Sequence, residues 1–401
     1  MAQVEAAYVY RVQLHGTSAL AAVAMLIGVA FGLSTLITPL YPIYQQQFSF
    51  SQITLTLIYA VYAIGNVAAL LFFGRASDRA GRRRAALSAI ATLIIAVLVF
   101  LLANGIAMLY IARVLSGFGI GVASGTGNAW LAELVGQADK ARAATIGTSA
   151  NFLGLGFSAL LSGLLAQYAP WPLHLPFMIY FVILCAVALL LAFTQETVRQ
   201  ADPRHLSVHP QLSLPREIRP QFVAPAITGF GLMALVGYYA ALMPAMLLHE
   251  LNITSHAAAG ALFFELAMVV AVVIVATQRL ASRTSMMLSL ALMIPAAGTV
   301  VAAQTSGMLW VLVAATALVG VSTGLGYRGS LQVVNQIAPS DKRAAVLSTY
   351  FVFCFIGNAL PVIGAGVLSS LTNATVAVMS FACVIAAFAA VALIFALVYR
   401  R

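Results

Sequence analysis

The sequence predicts an all-α membrane protein with twelve transmembrane helices, arranged as two pseudo-symmetric six-helix halves. Its composition, the length of its apolar runs and the positions of its basic residues support this prediction. The 401 residues are 62% hydrophobic and 7% charged, with a mean hydropathy of +1.01, whereas a soluble domain carries roughly 25% charged residues. Lipid rather than water is therefore the main solvent of this chain.

Apolar runs long enough to cross a bilayer recur along the whole chain. A hydrocarbon core of about 30 Å requires about 20 residues of helix. The spans are predicted at 18–42, 53–74, 85–103, 106–132, 143–168, 174–194, 222–248, 256–278, 285–303, 308–335, 344–371 and 374–399. Runs of this length exclude a transmembrane barrel, whose strands alternate over about ten residues.

The basic residues predict the orientation, because Lys and Arg are retained in cytoplasmic loops. With the N-terminus inside, every Lys and Arg except Arg113 and Arg328 lies in a cytoplasmic segment, and the outside loops contain none. We therefore expect a multi-pass protein of a bacterial inner membrane with both termini in the cytoplasm. The net charge of +10 then requires no nucleic-acid partner.

The first residues and the cysteines have simple expected roles. The first 17 residues lack a signal-peptide core, so the first span is expected to remain in the protein. Cys185, Cys354 and Cys383 fall inside spans without a CxxC pair, and packing is their expected use. No metal or other cofactor is implied.

A polar segment divides the chain into similar halves. We predict an N-terminal half at 1–194, a cytoplasmic linker at 195–221 and a C-terminal half at 222–401. A shift of the sequence by 201 residues aligns matching residues in the two halves, among them Gly119 with Gly320, Gly125 with Gly326, Arg142 with Arg343, Phe152 with Phe353 and Gly163 with Gly364. Two parallel halves around a central site are typical of secondary transporters.

The loop between the second and third spans contains a motif. It reads Gly74, Arg75, Ala76, Ser77, Asp78, Arg79, Ala80, Gly81, Arg82, Arg83, Arg84. This loop resembles the G-x-x-x-D-R-x-G-R-[KR] motif of the major facilitator superfamily. A basic membrane anchor would account for the arginines but not for Asp78 and Gly81 at these offsets. A reduced copy keeps only Arg279 and Arg283 after the eighth span.

The resemblance implies a gate formed by residues near this loop. The implied gating residues are Gly74, Asp78, Arg79, Gly81, Arg82 and Glu133. By resemblance, Asp78 lies against the start of the eleventh span near Ser340 and Asp341, and Arg82 pairs with Glu133. These contacts would close the cytoplasmic side when the outer side is open.

The fourth span places Arg113 inside the membrane. Residues 113–121 look like the R-x-x-x-G-x-G motif of the same superfamily, which implies a role for Arg113 in proton coupling. Alternatively, Arg113 bonds to backbone carbonyls of the first span. Charge at this depth costs about 2.5–3.5 kcal/mol on insertion scales, so either interpretation requires polar partners.

The fifth span leaves the direction of transport open. Small residues occur where the superfamily's antiporter motif lies, namely Gly154, Ser158, Ala159, Ser162 and Gly163. The proline of that motif is absent, and a closely packed helix pair accounts for these residues equally well.

Glu265 is the only acidic residue inside a span. Because desolvation favours the neutral form of a carboxyl group, Glu265 is a candidate for proton coupling, paired with Arg113. The alternative is a protonated structural residue that only bonds to a neighbouring helix.

Cavity residues follow from the resemblance, since the first, fourth, seventh and tenth spans usually line the cavity in this superfamily. The resemblance therefore implies these candidate cavity residues: Tyr41, Tyr44, Asn128, Tyr238, Tyr239, Tyr327 and Arg328. Arg328 lies near the cytoplasmic face, where its side chain either reaches the headgroups or holds an anionic substrate. Pro39 and Pro42 either bend the first helix or end it.

The sequence therefore predicts a secondary transporter and not an enzyme. No GxxxxGK[ST] loop is present for ATP. We expect proton-coupled efflux of a hydrophobic drug-like compound or metabolite. The alternative is proton-coupled uptake of a small organic anion, with Arg113 or Arg328 as the counter-charge. The expected partners are a small-molecule substrate, protons and the lipid bilayer, and we expect a monomer.

Overall fold

The computed structural model describes residues 13–73, 76–136, 139–198, 212–339 and 342–398, and it consists of α-helices with short connections. The helices are α1 (Gly16–Leu36), α2 (Tyr41–Phe48), α3 (Gln52–Phe73), α4 (Ala76–Ala80), α5 (Arg82–Leu101), α6 (Ile106–Val135), α7 (Lys140–Tyr168), α8 (Leu175–Ala192), α9 (Arg219–Ala241), α10 (Met243–His249), α11 (His256–Ala276), α12 (Ser282–Ser306), α13 (Leu309–Ile337), α14 (Arg343–Leu371) and α15 (Ala374–Val398).

The described ranges contain twelve spans that are long and apolar enough to cross a membrane. Helices satisfy every backbone donor and acceptor within one segment, which a hydrocarbon environment requires. The predicted fold class is confirmed, and most predicted bounds lie within a few residues of the observed ones. The first span is longer than predicted, because it continues through α2 to Phe48.

One break lies within the first span and another at the end of the seventh, near the same end of the bundle. Thr38–Leu40 forms a 3₁₀ turn between α1 and α2, and Leu242 separates α9 from α10. Pro39, Pro42 and Pro244 lie in the first turns of these short segments, where a missing N–H costs little. The first span therefore continues past its prolines, through a 3₁₀ turn.

The long helices repeat between the two parts of the chain. α6 and α7 contain 30 and 29 residues, and α13 and α14 contain 29 each. The division into halves stays a prediction, and most of the linker at 195–221 lies outside the described residues. Its described ends include a 3₁₀ turn at Arg216–Ile218, directly before α9.

The helix bundle has two chemically different ends. The basic end carries the first turns of α5, α7, α9, α12 and α14, with Arg82, Arg142, Arg219, Arg283 and Arg343. The opposite end carries the connections at 49–51, 102–105, 169–174, 250–255, 307–308 and 372–373. The basic end is the end that the sequence predicts to face the cytoplasm.

The two parts of the bundle contact each other mainly through α7 with α11 and α3 with α14. At the opposite end of the bundle, the two helices of each pair approach each other closely at a glycine. A Cβ atom on Gly163 would lie 2.6 Å from the carbonyl oxygen of His256, and one on Gly366 would lie 2.6 Å from the Thr56 side chain. The His256 amide also donates to Gln167 Oε1 at 2.9 Å. The bundle is therefore closed at the opposite end.

The approach of α7 to α11 yields a test with a matched control. Gly163→Leu should force the two helices apart, since the group facing it is backbone, at a cost of about 1–3 kcal/mol. A Cβ atom on Gly364, its repeat partner, would have no heavy atom within 4 Å. We expect Gly163→Leu to lower the thermal unfolding temperature in lipid nanodiscs and Gly364→Leu to leave it near the wild-type value. Equal effects of the two substitutions would contradict this account of the interface.

Candidate functional site: a central cavity

A cavity of about 360 Å³ lies between the two parts of the bundle. It reaches the basic end between the last turns of α6 and α13, at Ala132 and Asn335, and the first turns of α7 and α14, at Ala143 and Leu347. Tyr59, Tyr62 and Asn358 lie at its inner limit and form what we call the roof. The cavity is therefore open toward the basic end and closed toward the opposite end.

The cavity walls are aromatic and uncharged. Phe152 of α7 contacts Tyr327 of α13 edge-on, with ring centroids 5.5 Å apart, and Tyr62 of α3 contacts Phe355 of α14 at 6.4 Å. The wall also contains hydroxyl and amide groups, from Ser34, Thr35, Asn66, Ser124, Asn128, Thr148, Asn151, Asn335 and Asn358. Among the described residues, no Asp, Glu, Lys, Arg or His lines this cavity. Such walls suit an uncharged ligand.

Only part of the predicted cavity set lies in these walls. Asn128 and Tyr327 line the cavity. Tyr41 and Tyr44 do not, because both belong to α2, beyond the break in the first span. Both side chains are buried, and Tyr44 packs on Phe48 with ring centroids 5.8 Å apart.

Tyr238 and Tyr239 lie on the wrong face of α9 to line the cavity. That helix presents Met233, Val236 and Ala240 to it. The Tyr238 hydroxyl instead donates to Gln304 Oε1 of α12 at 3.3 Å, and the Tyr239 hydroxyl accepts from Thr316 of α13 at 3.1 Å. The expectation that they are wall residues is corrected by this packing.

Arg328 also lies outside the cavity. Its Nη2 donates to the carbonyl oxygens of Gln278 at 2.5 Å and Leu280 at 3.1 Å, in the connection between α11 and α12 at the basic end. This placement matches the alternative in which the side chain extends toward the membrane surface, and it removes Arg328 as a cavity counter-charge in this conformation.

Arg113 is fully buried directly behind the roof. Its Nη1 donates to the Ser34 carbonyl oxygen of α1 at 2.8 Å, and its Nη2 donates to the Tyr41 hydroxyl. The guanidinium carbon also lies 5.5, 5.8 and 5.6 Å from the ring centroids of Tyr41, Tyr59 and Tyr62. The carbonyl partner on the first span, expected as the alternative, is present.

Glu265 does not meet Arg113. It is half-buried and lies four and eight residues before Val269 and Val273 of α11, which pack on Gly320 and Gly324 of α13. It forms no hydrogen bond or ion pair with another described residue. Spacing of four residues places Glu265 on the face of α11 that packs on α13, whereas Arg113 bonds to Ser34 and Tyr41. The expected Arg113–Glu265 pair is therefore absent from this conformation.

Asn358 connects the two parts of the bundle at the roof, and it was not predicted from the sequence. Its Oδ1 accepts from the hydroxyls of Tyr59 and Tyr62 of α3, at 2.8 Å each. Its Nδ2 donates to the Met233 carbonyl oxygen of α9 at 3.0 Å. Two of the three tyrosines around Arg113, Tyr59 and Tyr62, are thus bonded to α14. The regular spacing of Tyr59 and Tyr62 on α3 was the available signal.

The motif loop forms a compact ionic cluster at the basic end. Arg82 Nη1 lies 2.5 Å from Asp78 Oδ1, and its Nη2 lies 2.5 Å from Glu133 Oε1. Arg82 Nη1 also donates to Ser77 Oγ at 2.6 Å. Gly81 has a φ of 94°, which favours glycine. The expected contact between Arg82 and Glu133 is present, and its gating role stays a prediction.

Other parts of the predicted gate cannot be placed. Gly74, Ser340 and Asp341 lie outside the described residues. Arg79 is described, at the end of α4. A further acid, Glu196, was not predicted: its carboxylate accepts from the backbone amides of Arg82 at 2.9 Å and Arg83 at 3.0 Å. A carboxylate at the start of α5 is favourable because the helix dipole is positive there.

A cavity between membrane helices, open at one end and sealed at the other, is the arrangement of a membrane transporter. The profile of the Major Facilitator Superfamily matches residues 22–362, and the chain belongs to this superfamily. Membership of this superfamily implies a secondary transporter rather than an enzyme.

Comparison with solved structures gives the same fold. The crystal structure of the human organic anion transporter MFSD10 (TETRAN) matches with a TM-score of 0.68 and 14% sequence identity, covering 96% of this chain and 100% of that chain. Comparison with curated protein sequences gave no match.

The roof can be tested with the native cavity thiol. Cys354 lines the cavity, whereas Cys185 and Cys383 are exposed and can be changed to alanine. Asn358→Leu leaves two buried hydroxyls without an acceptor, at about 1–3 kcal/mol each. We expect an impermeant thiol reagent to label Cys354 from the basic end in the parent protein. Labelling from the opposite end should be at least about tenfold faster in Asn358→Leu than in the parent protein, since about 1.4 kcal/mol corresponds to a factor of ten.

Asn335→Leu is the control for this labelling experiment, because it removes a cavity amide at the basic end that makes no bond between α3 and α14. Unchanged labelling from the opposite end in Asn358→Leu would show that the roof bonds do not hold that end closed.

Proposed function

We propose that the protein exports uncharged, amphipathic organic compounds by alternating access, in exchange for protons. The observation that carries the proposal is the central cavity, whose described walls contain aromatic rings, hydroxyls and amides but no ionisable carboxyl, amine or guanidinium group. An ion entering such a cavity would lose hydration without gaining a counter-charge. An uncharged aromatic compound would lose much less hydration free energy on entering the cavity.

The direction of transport is supported by the open end. The cavity is accessible from the basic end, which the positive-inside rule assigns to the cytoplasm. A cytoplasmic compound can therefore reach the walls in this conformation, and release requires the roof and the glycine contacts at the opposite end to separate. The α7–α11 and α3–α14 contacts are the surfaces on which the two parts would rock.

Glu265 is the proposed proton carrier. It is the only acid inside the spans predicted from the sequence, and α11, which holds it, forms with α7 the largest contact between the two parts of the bundle. Rocking at this contact would change how much of the carboxyl group is exposed, and therefore how readily it binds a proton. Since Glu265 does not line the cavity, the proton would follow a route separate from the substrate.

Uptake of a small organic anion is the second candidate. Arg113 favours it, because this guanidinium lies directly behind Tyr59 and Tyr62. MFSD10, which has the same fold, is an organic anion transporter. Separation of the roof would have to bring Arg113 into the cavity for this function.

Transport by the purified protein in oriented liposomes tests both candidates. Fluorescent compounds of similar size, either uncharged or carboxylate-bearing, are offered with and without a pH gradient. We expect a gradient to drive the uncharged compound from the basic-end side to the opposite side. Glu265→Gln should keep exchange without a gradient and lose the response to the gradient, whereas Glu250→Gln, in the connection at the opposite end, should behave like the parent protein.

The outcome distinguishes the candidates. Gradient-driven movement of the carboxylate compound alone would favour anion uptake. A full gradient response in Glu265→Gln would leave Glu265 with a structural role.

A further inference from the structure

The face of α3 that lines the cavity contains an amide with no partner. Tyr59, Tyr62, Asn66 and Leu70 follow each other at three- and four-residue spacing, and all line the cavity. Asn66 therefore lies one turn from the roof, toward the open basic end. Its side chain is fully buried, and neither Nδ2 nor Oδ1 has a hydrogen-bond partner among the described residues.

The other cavity amides differ from Asn66. Asn128 and Asn335 each donate from Nδ2 to a backbone carbonyl oxygen one turn earlier in their own helices, and both amide atoms of Asn358 are bonded. At Asn151 only Oδ1 is buried without a partner. Buried polar groups in proteins are nearly always paired. An amide left unpaired at both atoms in a cavity wall thus indicates a group that a ligand completes.

Glycines on α6 create the space around this amide. A Cβ atom on Gly121 would lie 3.1 Å from Asn66 Oδ1 and 2.8 Å from the Asn66 carbonyl oxygen, so a larger residue would press on the amide. One turn further, Gly125 lines the cavity and has nothing within 4 Å of the corresponding position. The Asn66 amide therefore packs beside the α6 backbone at Gly121, and Gly125 leaves the cavity unobstructed one turn further along α6.

The chemistry of the amide defines the ligand. A carboxamide presents a donor and an acceptor side by side, and its complement is another adjacent pair of N–H and C=O. Asparagine reads such an edge on adenine in the same paired manner. An ester or ketone would satisfy Nδ2 and leave Oδ1 unpaired in a buried site, which is unfavourable.

We propose that Asn66 is the recognition group for the substrate, and that the substrate is an uncharged aromatic compound with an adjacent N–H and C=O, such as a lactam, imide or carboxamide. This inference rests on the proposed function of the central cavity. It adds a hydrogen-bonding requirement to a site that otherwise selects for lack of charge.

An isosteric pair of ligands tests the proposal without altering the protein. 2-Quinolinone is an aromatic lactam, and coumarin has the same shape with a ring oxygen in place of the N–H. Their affinities for the full-length protein in nanodiscs are measured by calorimetry or equilibrium dialysis. We expect 2-quinolinone to bind about tenfold more tightly, as one additional buried bond and one relieved acceptor predict.

Variants then assign the preference to one residue. Asn66→Leu should reduce the ratio of the two affinities to near one, with coumarin affected much less than 2-quinolinone. Asn104→Leu is the matched control, because this amide is exposed in the connection between α5 and α6, and the ratio should stay as in the parent protein. If Asn66 had only a structural role, Asn66→Leu would weaken the binding of both ligands equally.

Failure of the Asn66 role and failure of the proposed function give different results. Equal affinity of the parent protein for both compounds, or a preference that survives in Asn66→Leu, would overturn the role of Asn66 and leave the proposed function intact. Absence of binding of both compounds, together with absence of transport of the uncharged panel, would overturn the proposed function as well.

Discussion

The buried charge of Arg113 is the constraint on which the closed end of the cavity depends. A charge at this depth in a membrane costs about 2.5–3.5 kcal/mol on insertion scales, and the structure offsets it with the Ser34 carbonyl, the Tyr41 hydroxyl and the faces of the surrounding tyrosine rings. A cation over an aromatic face contributes about 0.5–2 kcal/mol. Tyr59 and Tyr62 are thus held in place by the charge behind them, and their hydroxyls are presented to Asn358 on the other part of the bundle. Arg113 does not line the cavity in this conformation, yet it positions the groups that close the cavity.

The ionic cluster at the basic end has a different relation to the cavity. Arg82 pairs with Asp78 and Glu133 while the cavity is open at that same end. These ion pairs alone therefore do not close the basic end. All the described partners of Arg82 belong to the chain before α9, so the cluster stabilises that part of the bundle in this conformation. The predicted gate would add a contact between Asp78 and the start of α14.

The spans could be predicted from sequence because the bilayer imposes one simple requirement, a long apolar helix, that composition reveals directly. The same hydropathy showed Arg113 and Glu265 as unusual residues, since charge inside a span is rare. It did not show their partners. Assigning wall residues by helix alone failed for Tyr238 and Tyr239, because one helix has several faces and α9 presents other residues to the cavity. Asn358 escaped notice since an uncharged amide barely changes the hydropathy of a span, and the same holds for the unpaired amide on α3.

The neutral walls also constrain how coupling can work. When a cavity closes around charged walls, an ion or substrate must neutralise them, so the empty transporter is hindered from returning. Among the described residues this cavity has no such charge, and its empty form can close at little electrostatic cost. Substrate binding in the cavity therefore cannot by itself force exchange with protons. Coupling, as proposed, has to arise where an ionisable group changes its surroundings as the bundle rocks, and α11 offers this position: it carries Glu265 and packs on α7 across the main contact between the two parts.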